Sequence, residues 1–438
     1  MTRSRSLHVR RLVAIAAAAV MSGAAAPPPE ETRLEIAQND AAHTTEGPLR
    51  KIIADLQRGA PDADSMEPEL GAAVQAQAAA MAGLLKSVGP LKQVEFTGSG
   101  NGADTYRVTF ENGASDWMIR LSPSGKIGGL FFKPLPVAEA NGEGVEVAGL
   151  SGTLLKPKPA GAGENAHPPI VLLIGGSGPT DRDGNQGGTG AGELRQLAEQ
   201  LAERGIASLR YDKRGIGRSL APGLREEDLV LNTYVEDAVA WLGWLQQRTD
   251  LGPRIVAGHS EGGLIAMLAA KRTPVAGVVL LATPGRKLAE VVRDQLRRIG
   301  IDPVLQVEAT TILASLERGE KVSSVNPALQ ALFRPSVQPY MISELAIDPA
   351  REIKDVRSPV MIVSGGHDLQ VSIIDAVLLA AERPDATRLD ISGMNHVLKM
   401  APADRAGQQD AYSNPDIPLA AGVSDAIANF IRKAARQP

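Results

Sequence analysis

A serine with glycine at both second neighbours, in R-I-V-A-G-H-S-E-G-G-L-I-A-M (Arg254–Met267), is the strongest chemical signal in the chain. A short apolar run (Ile255, Val256, Ala257) leads into it, and Gly262, Gly263, Leu264, Ile265 and Ala266 lead out as the start of an apolar helix. This is the G-x-S-x-G nucleophile elbow, in which the serine occupies a strained strand-to-helix turn with its hydroxyl presented outward. The strain demands small residues two before and two after, and Gly258 and Gly262 supply them. Ser260 is the candidate nucleophile.

A serine hydroxyl attacks only when a base takes its proton, and histidine has the suitable pKa. The chain has six histidines. His8 and His43 fall in N-terminal segments ahead of any domain, and His167 precedes a strand, at the wrong edge of a sheet. His259 adjoins the serine and is expected to point elsewhere. His396, in S-G-M-N-H-V-L-K, follows a strand around Leu389 and is the candidate base, with His367 as runner-up. The base needs an acid to hold its tautomer and stabilise the imidazolium. Asp368 ends the strand P-V-M-I-V-S-G-G-H-D, whereas Asp375 and Asp385 stand in a helix and a turn.

Acyl transfer also needs donors for the developing oxyanion. The backbone N–H of Glu261, next after the serine, is one candidate. The loop G-G-S-G-P-T-D-R-D-G-N (Gly175–Asn185) offers the other, the Ser177 N–H, because Gly175 and Gly176 permit close backbone approach. No Lys-Ser/Thr pair follows these glycines, so the loop is not a phosphate cradle. Asp181 and Asp183 read as a structural turn in preference to a calcium site. In Y-D-K-R-G-I-G-R-S (Tyr211–Ser219), Asp212 and Arg214 read as turn-fixing, with recognition of a substrate carboxylate by Arg214 or Arg218 as the alternative.

The elements that must position these residues alternate. Strands are expected at 169–174, 207–211, 254–257, 275–281, 360–364 and 387–389, after two edge strands within 145–155. Amphipathic helices are expected at 191–204, 232–247, 262–271, 373–381 and 424–435. Such alternation predicts a mostly parallel sheet covered on both faces, with ligands at the carboxyl ends of its strands. Residues 287–354 carry helical patterns alone and read as a cap inserted between two strands. Ahead of this domain (140–436), residues 47–135 combine helices with an antiparallel meander, turning at Asn112-Gly113 and Ser124-Gly125. They form a small accessory α+β domain, joined through Pro134-Leu135-Pro136.

Residues 1–26 read as a signal peptide: four arginines, the apolar run Leu12–Val20, then Ala24-Ala25-Ala26. The run is too short to span a membrane. Residues 27–46 are a Pro- and Ala-rich linker. Removing the leader takes four arginines and no acid from a chain of net charge −4, leaving −8 and no basic footprint for nucleic acid. Cysteine is absent, so an exported form must rest on its hydrophobic core, and thiolate catalysis and cysteine metal sites are excluded. Aromatic residues make up only 3% of the chain, which predicts an aliphatic substrate pocket.

The elbow G-H-S-E-G-G, the loop G-G-S-G-P-T-D-R-D-G-N, the Y-D-K-R-G-I-G-R-S turn, the G-H-D-L-Q-V run around Asp368 and the N-H at His396 resemble the α/β-hydrolase superfamily over roughly 140–436. They look most like bacterial esterases related to the serine aminopeptidase and dipeptidyl-peptidase branches. The order Ser260, Asp368, His396 is the order of that family. The resemblance implies an α/β-hydrolase fold with a helical cap, a Ser260–His396–Asp368 triad, acyl-enzyme chemistry, and neither cofactor nor metal. One departure is Gly175-Gly176, where His-Gly is usual. The expected function is an exported carboxylic-ester hydrolase, periplasmic or secreted, acting on small esters with short to medium acyl groups. Amide or peptide hydrolysis is the alternative, although no acidic pair that would anchor a peptide terminus is evident. An inactive binding module is the third reading. Oligomeric state is not specified by any of these features.

Overall fold

The computed structural model describes residues 44–436, apart from scattered positions between 69 and 87 and from 101, 112, 135–141, 159–166, 187–189, 220 and 222–223. The expected signal peptide, the expected linker up to residue 43, Asn112 of one expected turn and most of the proline joint lie outside the described residues. The chain divides between residues 140 and 141 into two compact units.

The first unit opens with α1 (Glu46–Arg58) and continues into an antiparallel sheet of β1 (Leu91–Gly100), β2 (Ala103–Phe110), β3 (Gly113–Leu121) and β4 (Ile127–Pro134), in the order β1-β2-β3-β4. Leu49, Ile52, Ile53 and Leu56 recur at helical spacing on α1 and bury against Tyr106, Val108, Trp117 and Ile119 of the sheet. Tyr106 and Trp117 face each other across the β2–β3 ladder. Their polar atoms are satisfied, the Tyr106 hydroxyl by Thr45 at 2.7 Å and the indole N–H by Ser115 at 2.6 Å. The expected antiparallel meander is present as four strands.

The second unit is built on eight strands: β5 (Glu143–Val147), β6 (Leu150–Leu155), β7 (Ile170–Ile174), β8 (Ala207–Tyr211), β9 (Arg254–His259), β10 (Gly277–Leu281), β11 (Val360–Gly365) and β12 (Thr387–Ile391). Their order is β12-β11-β10-β9-β7-β8-β6-β5, parallel from β12 through β8 and antiparallel at β6 and β5. β5 is an edge strand as expected, but β6 is interior, hydrogen-bonded to β8 on its other side. Its burial on both faces follows from that position.

Alternate residues of the central strands feed two cores, as a two-residue period requires. Leu172, Ile174, Val256 and Leu280 pack beneath α3 (Leu231–Gln246), α4 (Glu261–Arg272) and α8 (Ile373–Glu382). Val171, Leu173, Ile255 and Val279 pack beneath α2 (Glu193–Glu203) and α10 (Val423–Ala434). Between β10 and β11 the chain leaves the sheet through α5 (Leu288–Ile299), α6 (Pro303–Glu317) and α7 (Gln338–Leu345), which share a separate core including Val292, Ile312, Leu313, Phe333 and Met341. All three lie within residues 287–354, the stretch whose helical patterns read as a cap. One helix was not expected: α9 (Arg405–Ser413), whose R-A-G-Q-Q-D-A-Y-S lacks an apolar stripe.

β7 has β8 on one side and β9 on the other, so the chain reverses its direction of travel across the sheet there. At such a switch point the loops after the two strands diverge and leave a crevice at their carboxyl ends. The loops after β7 and β9 carry the Gly175–Asn185 segment and Ser260.

Candidate active site

Ser260 sits between β9 and α4 with φ 54° and ψ −124°, a conformation costing a non-glycine residue about 1–3 kcal/mol. The surroundings hold it there: its N–H donates to the Leu281 carbonyl at 2.8 Å, and its carbonyl accepts from the Gly263 N–H at 2.9 Å. The tight turn explains the glycines. A Cβ at Gly258 would stand 1.9 Å from the Gly262 carbonyl oxygen, and one at Gly262 would stand 2.5 Å from the Ile174 oxygen. Gly263 is equally constrained, with the Thr283 hydroxyl oxygen 1.9 Å from any Cβ. The elbow is present where the sequence put it.

Asp368 and His396 meet although they leave different strands. Asp368 follows β11, His396 follows β12, and His396 Nδ1 lies 2.8 Å from Asp368 Oδ2. The other carboxylate oxygen accepts the N–H groups of Gln370 and Val371, both at 2.8 Å. Asp368 is thus locked by its own turn and cannot rotate away from the ring. Both side chains are buried. His367 is not brought into this arrangement; its Nδ1 is 2.6 Å from the Ala401 carbonyl, so it ties two loops together.

His259 corrects the expectation that it points away. Its Nε2 lies 2.8 Å from the His396 carbonyl oxygen, and the two imidazole rings are 4.7 Å apart. The residue before the serine therefore fastens the His396 loop to the elbow. Since a carbonyl can only accept, His259 carries its proton on Nε2 and turns a lone pair on Nδ1 toward Glu193, 4.0 Å away. That pair is not ionic near neutral pH. Burial lowers the His259 pKa to about 3, with the nearby His396 adding to the effect. Burial raises that of Glu193 to about 8, helped by Asp181.

The loop after β7 passes against Ser260, for a Cβ at Gly176 would stand 3.3 Å from Ser260 Cβ. Thr180 Oγ1 donates to the Gly176 and Ser177 carbonyls at 3.1 Å, and Gln186 Nε2 reaches the Ser177 carbonyl at 2.6 Å. Among the described residues, neither the Ser177 N–H nor the Glu261 N–H has a hydrogen-bond partner. The latter is an orphan donor at the start of α4, where the helix dipole also favours negative charge. Asp181 closes the loop as a turn by accepting the N–H groups of Asp183 and Asn185, both at 2.9 Å. Burial, with Asp183 nearby, raises its pKa to about 6. Among the described residues no acidic or histidine cluster could hold a metal ion.

The Y-D-K-R turn also resolves. Asp212 accepts from the Arg182 guanidinium at 2.7 and 3.1 Å and from the Arg182 and Arg218 N–H groups at 2.9 and 2.8 Å. It is turn-fixing, with a buried arginine as the partner that sequence reasoning missed. Arg214 pairs with Asp237 and is committed to the scaffold. Lys213 was overlooked: its Nζ donates to the Gly176 carbonyl at 2.5 Å and to Glu261 Oε1 at 3.1 Å. Only the unusual Lys between Asp212 and Arg214 hinted at it.

Residues 187–400 match the family described as serine aminopeptidase, S33. The chain is 30% identical over 309 residues to esterase EstD of Thermotoga maritima, an alignment covering 67% of this chain and 71% of that one. Among solved structures, Est1E from Butyrivibrio proteoclasticus is similar at 18% identity, covering 68% of this chain and all (100%) of that one, with a TM-score of 0.43. Proline iminopeptidase of Mycobacterium smegmatis is similar at 14% identity, 67% and 98% coverage, and the same TM-score of 0.43.

Proposed function

Because this chain belongs to the serine hydrolases of the α/β-hydrolase family, we propose that it is an exported carboxylic-ester hydrolase working through an acyl-enzyme at Ser260. The observation that carries the reading is the His396–Asp368 pair held at 2.8 Å and fastened through His259 to the elbow.

Asp368 accepts a hydrogen bond from His396 Nδ1–H, which keeps the proton on Nδ1 and leaves Nε2 as a lone pair able to take the Ser260 proton. Ser260 Oγ attacks the ester carbonyl carbon, and its proton passes to Nε2. The carbonyl oxygen becomes an oxyanion received by the N–H groups of Glu261 and Ser177. His396 then protonates the leaving alkoxide, releasing the alcohol and an acyl-Ser260. Water, deprotonated by the same imidazole, repeats the sequence and frees the acid. The imidazolium formed in each half is stabilised by Asp368.

Two features favour an ester over a peptide amino terminus. The acid nearest the serine, Glu261, is already neutralised by Lys213 at 3.1 Å. The relative with the highest identity named above is an esterase. Export rests on residues 1–26, and the expected mature chain begins near Pro27, checked by intact mass after expression with the leader.

Ser260→Ala should lower nitrophenyl acetate or butyrate turnover by roughly 10⁴-fold or more in folded protein. A fluorophosphonate should label the native chain at Ser260 alone. Turnover retained in the folded variant contradicts the assignment, and a preference for aminoacyl-anilides over simple esters would move the activity to amide hydrolysis.

A further inference from the structure

Lys213 is among the most deeply buried ionisable groups of the unit, 2% exposed, on the turn after β8. Among the described residues it makes two hydrogen bonds, and both end on the parts of the site that would receive the oxyanion. Its ammonium donates to the Gly176 carbonyl at 2.5 Å and to Glu261 Oε1 at 3.1 Å. Glu261 is itself only 3% exposed, so the pair is a desolvated one. Its neighbours include the Tyr234 ring, whose centroid is 4.8 Å from Nζ, and Glu344 and Tyr340 of α7 face Glu261.

The geometry has a specific consequence. Gly176 C=O and Ser177 N–H belong to one trans peptide plane, in which the two groups point in opposite directions. Whatever holds the oxygen aims the N–H. Lys213 and the Thr180 hydroxyl, at 3.1 Å, hold that oxygen from one side. A cationic donor on the carbonyl also polarises the amide, which strengthens its N–H as a donor. The same ammonium restrains the side chain of Glu261, whose own N–H is the other donor. One side chain thus spans both halves of the hole.

We infer that Lys213 is the positioning residue of the oxyanion hole, orienting the Gly176–Ser177 peptide and fixing its distance from the Glu261 amide. The inference rests on the acyl-enzyme reading above and goes further, since it assigns the alignment of the hole to a residue that touches no substrate. It also accounts for a charge buried at the site that takes no part in proton transfer.

The test compares Lys213→Met with a Lys213→Met/Glu261→Gln double variant, because the single change leaves a buried carboxylate without its cation and can unfold the chain. Each is assayed for kcat and KM on nitrophenyl butyrate and for inhibition by an alkyl trifluoromethyl ketone, which forms a tetrahedral oxyanion on a serine. Outright loss of one oxyanion donor lowers kcat about 10²–10³-fold, so its misalignment should lower kcat roughly 10- to 100-fold. KM should stay within about threefold, because the ester ground state needs the donors little. Ketone affinity should fall in parallel with kcat. A double variant as impaired as the single one supports the inference. A folded variant with near-native kcat overturns it, as does a double variant restored to native turnover or a loss that leaves ketone affinity intact. Fluorophosphonate labelling of the native chain separates the two levels. If Ser260 labels while the Lys213 variants keep native kinetics, only the role of Lys213 falls; if Ser260 does not label, the acyl-enzyme reading falls first.

Discussion

At the scale of single residues, the reaction proposed here depends on how few orientations each side chain has. Asp368 spends one oxygen on two backbone N–H groups and the other on His396, so its geometry survives loss of its charge. Asp368→Asn should therefore fold normally yet present the wrong partner to Nδ1, forcing the imidazole toward a tautomer that cannot take a proton from Ser260. The expected loss in kcat is about 10³–10⁴-fold, with an unchanged thermal midpoint and a rate that rises at alkaline pH. An activity within tenfold of native would remove Asp368 from the proposed triad. Arg182 shows the contrasting case: with Asp212, Thr153 and Ser151 as partners, its guanidinium braces the loop that carries Ser177.

At the scale of elements, the switch from β7–β8 to β7–β9 opens the crevice, and the first turn of α2 brings Glu193 within 4.0 Å of His259 beside it. Glu193 begins that helix with one carboxyl oxygen unpartnered among the described residues. Its proton has a pH signature. The unfolded carboxyl titrates near 4.5, whereas burial holds the folded one to about 8. Between these values the folded state binds the extra proton, so stability falls as pH rises across that window, by at most about 1.4 kcal/mol per unit. His259 acts in the opposite sense, with a folded pKa of about 3 against 6.5 unfolded, so its contribution is lost as pH falls from 6.5 toward 3. Glu193→Gln should gain stability relative to the native chain when denaturant midpoints are compared at pH 8 and pH 5. Parallel midpoints at both values would mean that Glu193 is ionised in the fold.

At the scale of the whole molecule, every residue assigned to chemistry lies in the unit from Asn141 to Pro438. The first unit has its own core around Trp117 and Tyr106. A chain beginning at residue 141 is therefore expected to fold and keep nitrophenyl butyrate kcat/KM within about threefold of the full chain, since hydrophobic cores of separate domains stabilise themselves. A large fall in kcat with native-like circular dichroism would give the first unit a direct part in catalysis.

Much of this was legible in the sequence because it is encoded locally. A strained turn requires Gly258 and Gly262 beside Ser260, hydrophobic periodicity marks strands and helices, and chain order places Asp368 and His396 after late strands. α9 is not legible because its residues carry no apolar stripe, and β6 reads as an edge from sequence because pairing order is not written in any one strand. What only the folded chain decided is which distant groups become neighbours. His259 reaches a carbonyl 137 residues on, and Lys213 reaches Gly176 across 37 residues and Glu261 across 48. Local spacing specifies the conformation of a segment. The partners of a buried polar group are set by the closing of the sheet, which removes water and leaves each donor only the acceptors that packing brings within reach.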